Sequence, residues 1–231
     1  MTSEAVVAAV VAAVAAALAA SQLPLVLARL PEPEEPADDK PLYSDLASIP
    51  RLGLWCGVVA AVAAAVVGAV LELDAGLPAW IYLCAVGVGL SFIDWRTKLL
   101  PFWIVAPSYG VVAAILVIAA LATSDWGSLT RAAIGLAATF LIFMLMWLVY
   151  PRGLGYGDVR LSGVLGMALA WEGWPQLIVG LYAAFLLGGI IGGVLSALKI
   201  LDRKGYPFGP FLMFGAWFAV VVGPWLTDWW G

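Results

Sequence analysis

The sequence predicts an all-α, polytopic membrane protein of about eight transmembrane helices, and three observations carry that prediction. Of its 231 residues 64% are hydrophobic and 11% charged, with a mean hydropathy of +1.03. Soluble domains run near 45–50% apolar and about 25% charged, so this chain is out of their class. Its apolar residues fall into eight long runs, and a spanning helix needs about 20 such residues, with a tolerance of roughly 17–25. Its basic residues fall almost wholly in alternate loops. The result is a single membrane domain over residues 1–231, with no room for a large soluble one.

The first run, Ala5–Leu27, lacks a basic n-region and follows Glu4, so it reads as a retained anchor rather than a cleaved signal peptide. Residues 28–50 follow, with the tract Pro31-Glu32-Pro33-Glu34-Glu35-Pro36 and then Asp38-Asp39. No apolar periodicity runs through them, which predicts an irregular, solvated, acidic loop. The second run is Leu52–Leu71, closed by a turn with Glu72, Asp74, Gly76 and Pro78. The third, Ala79–Ile93, stops at Asp94, and the polar segment Asp94–Lys98 leads to Pro101. Proline suits a first helical turn, so the fourth run is Pro101–Leu121.

Thr123–Thr130 reads as a turn, and the fifth run, Arg131–Tyr150, enters the loop Pro151–Asp158. The sixth, Val159–Trp174, is short: about 16 residues at 1.5 Å each span roughly 24 Å. The seventh, Gln176–Ile200, carries Gly188-Gly189 and Gly192-Gly193, two overlapping GxxxG pairs suited to close helix contact. After a basic turn, Leu201–Gly205, the eighth extends from about Phe208 to Leu226. Trp225, Trp229 and Trp230 then form an interfacial aromatic belt.

Orientation follows from the basic residues. One set of loops holds Arg29, Lys40, Arg51, Arg96, Lys98, Arg152, Arg160, Lys199, Arg203 and Lys204; the other holds Arg131. Both termini are therefore expected on the non-cytoplasmic side. Asp94 and Asp158 then share the cytoplasmic face.

What chemistry remains is narrow. The chain has no histidine, which removes Ser-His-Asp and Cys-His catalysis and His-Glu-x-x-His zinc sites. Cys56 and Cys84 sit far apart inside apolar runs, so neither a zinc ribbon nor a structural disulfide is expected. No basic patch suggests a nucleic-acid partner. Nothing calls for a metal or other cofactor. An ionisable residue at a membrane helix end is expensive unless solvated, paired or used. Two aspartates at one face can act as a protease dyad, because like charges at close range share a proton. The ionised member takes a proton from water, and the protonated one hydrogen-bonds the scissile carbonyl. In Gly155-Tyr156-Gly157-Asp158 the two glycines can take positive φ and let a substrate backbone approach the carboxylate.

Simpler readings stand beside this one. Asp158 can cap the sixth helix, and Asp94 can pair with Arg96 or Lys98. A lone GxGD is short enough to arise by chance. Asp45 and Asp202 share the cytoplasmic loops and rival the pair, whereas Glu72, Asp74, Asp125, Glu172 and Asp228 fall on the far side. A small transporter with Asp94 and Asp158 along a pathway, or an inactive scaffold assembling through its glycine-rich seventh helix, also fits these residues.

Three stretches together resemble the type IV prepilin peptidases, polytopic aspartyl proteases of the bacterial inner or cytoplasmic membrane. They are Phe92-Ile93-Asp94-Trp95-Arg96 with Leu100-Pro101, Gly153-Leu154-Gly155-Tyr156-Gly157-Asp158-Val159-Arg160-Leu161, and Tyr206-Pro207-Phe208-Gly209-Pro210-Phe211. The likeness covers roughly Gly87 to Ala216, with an echo at Arg29-Leu30-Pro31, and sets a peptidase core at about 79–226. It implies that Asp94 and Asp158 are the catalytic pair, with Gly155 and Gly157 beside the substrate and Pro207, Gly209 and Pro210 as structural support. It also implies a prepilin or pseudopilin substrate with a basic leader in the cytoplasm and an apolar N-terminal helix in the bilayer. Preflagellin peptidases, which share the GxGD motif, are the nearest alternative. Many family members also methylate the new N-terminus and carry a cysteine-rich zinc domain between their first two helices. Here that interval is residues 28–50, without a cysteine, so the resemblance implies peptidase activity only. Whether the chain acts alone or as a homo-oligomer stays open.

Overall fold

A computed structural model describes residues 2–32, 40–151, 153–197 and 207–225. Among these, every regular element is a helix: α1 (Ser3–Ala20), α2 (Leu23–Leu27), α3 (Tyr43–Ala47), α4 (Leu52–Leu71), α5 (Leu77–Thr97), α6 (Phe102–Thr123), α7 (Trp126–Val149), α8 (Tyr156–Glu172), α9 (Trp174–Ala197) and α10 (Gly209–Val221). Among the described residues, six segments are long and apolar enough to cross a membrane: Ser3–Leu27, Leu52–Leu71, Leu77–Thr97, Phe102–Thr123, Trp126–Val149 and Trp174–Ile191. The sixth and eighth apolar runs form shorter helices, α8 of 17 residues and α10 of 13.

The helix α8 is the centre of the bundle. Every residue from Asp158 to Trp171 except Arg160 is buried, as expected of a helix enclosed on all sides rather than on one stripe. Glycine allows its neighbours to come close. A Cβ on Gly166 would stand 2.7 Å from Gly135 O, so α7 and α8 touch backbone to backbone there. A Cβ on Gly215 would stand 2.5 Å from Gly180 O, which brings α10 equally close to α9. On the other side of the bundle α1 lays an alanine stripe (Ala8, Ala12, Ala16) against α4, where a Cβ on Gly68 would meet Ala8 O at 2.7 Å.

Three sequence expectations shift. The helix α5 continues through Asp94 to Thr97, because Lys98 adopts a left-handed conformation (φ 56°) and its N–H closes onto Asp94 O at 2.7 Å. The helix α7 begins at Trp126, since Asp125 caps it by accepting from Ser128 N (2.9 Å). Its second turn therefore already includes Arg131. Residues 28–50 are not wholly irregular. Tyr43 and Leu46 of α3 are buried, and the backbone N–H groups of Tyr43 and Ser44 donate to Glu32 at 2.8 Å each. In the GxxxG stretch Gly189 is exposed and a Cβ there would meet nothing within 4 Å, although its neighbour Gly188 is buried. Trp225 is exposed as an interfacial residue would be, whereas Trp229 and Trp230 lie outside the described residues.

Candidate active site

Asp94 and Asp158 reach one spot from two different helices, and both are buried, at 4% and 7% exposure. They lie near enough for the charge of Asp94 to act on Asp158. Lys40, from the segment before α3, lies near enough to act on Asp94. Of the rival acids, Asp45 accepts from Leu42 N (3.2 Å) at the start of α3, and Asp202 lies outside the described residues.

Asp158 is the third residue of α8. Its Oδ2 accepts from Gly155 N (3.1 Å), and its own N–H donates to Gly155 O (3.0 Å). The capping reading is thus correct for one oxygen, at the third helical position rather than the cap itself. The other oxygen, Oδ1, is buried with no hydrogen-bond partner among the described residues. Buried polar atoms in native proteins are seldom left so. A carboxylate used only as a cap has no need to bury its second oxygen.

Asp94 is held from across the fold. The backbone N–H of Gly209, 115 positions away, donates to its Oδ2 at 2.9 Å. Gly209 opens α10, and a Cβ there would stand 2.8 Å from that same oxygen. Pro210 follows in the first turn, where proline's missing N–H costs no intrahelical bond. Pro207 is buried beside them, and the Phe208 ring packs on Phe185 (5.2 Å), which in turn packs on Phe143 (5.4 Å). This aromatic chain ties the start of α10 to α9 and α7.

Leu100 joins the two halves. The chain leaves α5 at Lys98, and Leu100 tucks in, buried, before Pro101 starts α6. A Cβ on Gly157 would stand 2.8 Å from Leu100 Cβ, and one on Gly209 would stand 3.3 Å from Leu100 Cδ2. One leucine therefore packs on the glycine before Asp158 and on the glycine that holds Asp94. Sequence reasoning grouped Leu100 with the Asp94 segment and treated Gly209 as support. The hydrogen bond from Gly209 and the double contact of Leu100 were not readable, because neither leaves a local pattern.

The acid at the opposite end of α8, Glu172, accepts from Trp80 Nε1 (2.9 Å) and lines a separate cavity of about 120 Å³ with Gln176. Fourteen residues at 1.5 Å each set it about 21 Å along the helix from Asp158. Arg131 donates to Ala170 O and Trp171 O beside it.

Residues 80–196, just over half the chain and including both aspartates, match the family model described as the type IV leader peptidase family. The chain belongs to that family. Among similar proteins are three called prepilin leader peptidase/N-methyltransferase. That of Aeromonas hydrophila is 33% identical over 165 residues, 66% of this chain and 53% of that protein. That of Burkholderia pseudomallei strain K96243 is 34% identical over 178 residues, 73% and 53%, and that of Pseudomonas putida 32% identical over 186 residues, 75% and 58%. The chain thus spans little more than half the length of these leader peptidases. No solved structure matches it. With its apolar helices, this member of the leader peptidase family is a multi-pass membrane protein. The matched stretch stops before α10, so the contact between Gly209 and Asp94 is a finding of the structure alone.

Proposed function

We propose that this chain is an aspartic-type endopeptidase that removes the short basic leader from type IV prepilin-like precursors at the cytoplasmic face of the membrane. The observation that carries the reading is the buried pair of carboxyl groups, from α5 and α8, each holding one oxygen in a backbone hydrogen bond. Those two backbone hydrogen bonds orient the carboxylates and leave Asp158 Oδ1, buried and without a partner among the described residues, for chemistry.

The pair carries one proton between them, as two close carboxylates do. The ionised member removes a proton from water as the oxygen attacks the scissile carbonyl carbon, and the protonated member hydrogen-bonds the carbonyl oxygen. Collapse of the tetrahedral intermediate breaks the C–N bond, and the amine leaves with a proton from the dyad. Roles belong to the pair rather than to either aspartate. Gly155 and Gly157 keep side chains away from the approach to Asp158. Pro207, Gly209 and Pro210 hold the start of α10 against Asp94.

In this reading α8 and α10 complete eight membrane segments around the site, and both termini face away from the cytoplasm. The basic residues support that orientation. Arg51, Arg96, Lys98 and Arg160 lie at the helix ends near the aspartates, and Arg131 lies at the opposite end of α8. A transport pathway would need a far-side acid continuous with the pair, but Glu172 is engaged with Trp80 and a different cavity. Because residues 28–50 hold no cysteine, peptidase activity without N-methylation is proposed. The test is co-expression with a pilin precursor bearing a short basic leader. Wild type should yield mature, unmethylated pilin, while Asp94→Asn and Asp158→Asn each leave the precursor intact. Cleavage surviving in either variant refutes the dyad.

A further inference from the structure

Arg160 is the one residue from Asp158 to Trp171 that is not buried, and it turns away from the carboxyl pair. Two positions along a helix rotate a side chain by about 200°. Among the described residues the charge that reaches Asp158 is that of Asp94 and not that of Arg160. The guanidinium lies instead against two rings, its carbon 5.2 Å from the centre of Phe102 and 5.4 Å from that of Tyr156. Phe102 opens α6 and Tyr156 opens α8, so the charge sits where two helices start. The backbone beneath it is pinned. Tyr109 Oη donates to Arg160 O (2.5 Å), and a Cβ on Gly163 would collide with that hydroxyl. Ring contact offsets part of the charge but supplies no oxygen to the N–H donors. One of these, Nε, is buried with no acceptor among the described residues. Native proteins seldom leave a buried donor so. Around it the surface is open and aromatic: Phe102 is 53% exposed, Tyr156 43%, and Trp103, edge-on to Phe102 at 5.8 Å, 64%. Exposed rings at helix ends mark the level of the lipid headgroups.

We propose that Arg160 binds the phosphate of an anionic phospholipid where α6 and α8 begin, at the end of the bundle that holds the aspartates. A phosphodiester presents two charged oxygens that match the guanidinium's fork of N–H donors. Basic sites between membrane helices take up headgroups in this way. An anionic lipid fits better than a zwitterionic one. Both nearby rings already face a cation, which leaves no ring for a choline group, and the guanidinium repels one. A peptide acid at the reacting groups does not reach this cation, because Asp158 lies on the opposite side of α8. A headgroup held here fixes the start of α8, and Asp158 with it, at a set depth in the membrane. The binding does not depend on what the aspartates do, so its test needs no peptide.

The full chain is reconstituted in liposomes of phosphatidylcholine and phosphatidylglycerol in equal parts and extracted in mild detergent. The lipid it retains is counted by native mass spectrometry, and thermal unfolding shows that each variant is folded. Wild type should keep phosphatidylglycerol in preference to phosphatidylcholine. Arg160→Gln should retain at least about tenfold less, the loss of one charge-assisted hydrogen bond. Arg51→Gln, which removes an exposed arginine at the start of α4, should keep the wild-type amount. Arg160→Lys holds the charge without the planar fork and should fall between wild type and Arg160→Gln; it decides the matter if the glutamine variant does not fold. Phosphatidylglycerol kept at the wild-type level by either Arg160 variant, lost equally from Arg51→Gln, or matched by phosphatidylcholine overturns the proposal. Displacement by millimolar inorganic phosphate assigns the site to a soluble anion and overturns it as well.

Discussion

Gly209→Ala separates a structural glycine from one that serves the carboxyl pair. Gly209 is the first residue of α10 with an ordinary backbone, so alanine is conformationally acceptable and even favoured by helix propensity. Its Cβ would nevertheless stand 2.8 Å from Asp94 Oδ2 and 3.3 Å from Leu100 Cδ2. To restore an ordinary contact the carboxylate or the start of α10 must move by several tenths of an ångström. The 2.9 Å hydrogen bond from Gly209 N ends on that same oxygen, so the shift disturbs it. A hydrogen bond to a charged acceptor is worth about 1.5–3 kcal/mol. At about 1.36 kcal/mol per tenfold, losing it slows turnover roughly 10- to 160-fold. The assay is single-turnover cleavage of a prepilin by purified variants in liposomes, with thermal unfolding measured in parallel. Turnover should fall within that range when measured at a temperature where the variant is still fully folded, and Tm should fall by a few degrees. Gly189→Ala, whose Cβ meets nothing within 4 Å, should cut at the wild-type rate. If Gly209→Ala also cuts at the wild-type rate, the backbone grip on Asp94 has no part in the reaction.

Three further outcomes are expected. Gly157→Ala drives a Cβ to 2.8 Å from Leu100 Cβ, so it should reduce cleavage, and adding Leu100→Gly, which removes that Cβ, should recover part of the loss; two strictly additive effects in the double mutant would refute the contact. Gly166→Ala forces α7 and α8 apart where a Cβ meets Gly135 O at 2.7 Å, and overpacking of this kind costs about 1–3 kcal/mol. A lower Tm should result, and an unchanged Tm would count against the close packing. Burial of Glu32 works to raise its pKa, but the amide hydrogens of Ser44 and Tyr43 prevail and hold the carboxyl below its ordinary 4.5. A lowered folded value means that the stabilisation is complete above 4.5 and lost as pH falls through the folded value. Amide exchange at Tyr43 and Ser44 should therefore accelerate below pH 4.5 in wild type and be fast already at pH 7 in Glu32→Gln; equal protection in both would refute it.

What the sequence determined by itself is whatever depends on composition and on neighbours along the chain. Apolar length alone located α4 to the residue, because a spanning helix needs a run of that length and little else. The missing histidine and the lone cysteines narrowed the chemistry before any geometry was known, and the GxGD stretch with the Asp94 segment pointed to the pair. Local rules went astray where capping overrode hydropathy. Asp125 started α7 five residues early, and a left-handed Lys98 carried α5 past Asp94. The glycines show the same boundary: Gly135 with Gly166 and Gly180 with Gly215 bring helices close without any GxxxG spacing to mark them, since which faces meet is set by the whole bundle. Only the tertiary structure brought Gly209 to Asp94 and set Leu100 against both glycines. A hydrogen bond across 115 positions is made by packing α10 against α5 and α8, and no local periodicity records it.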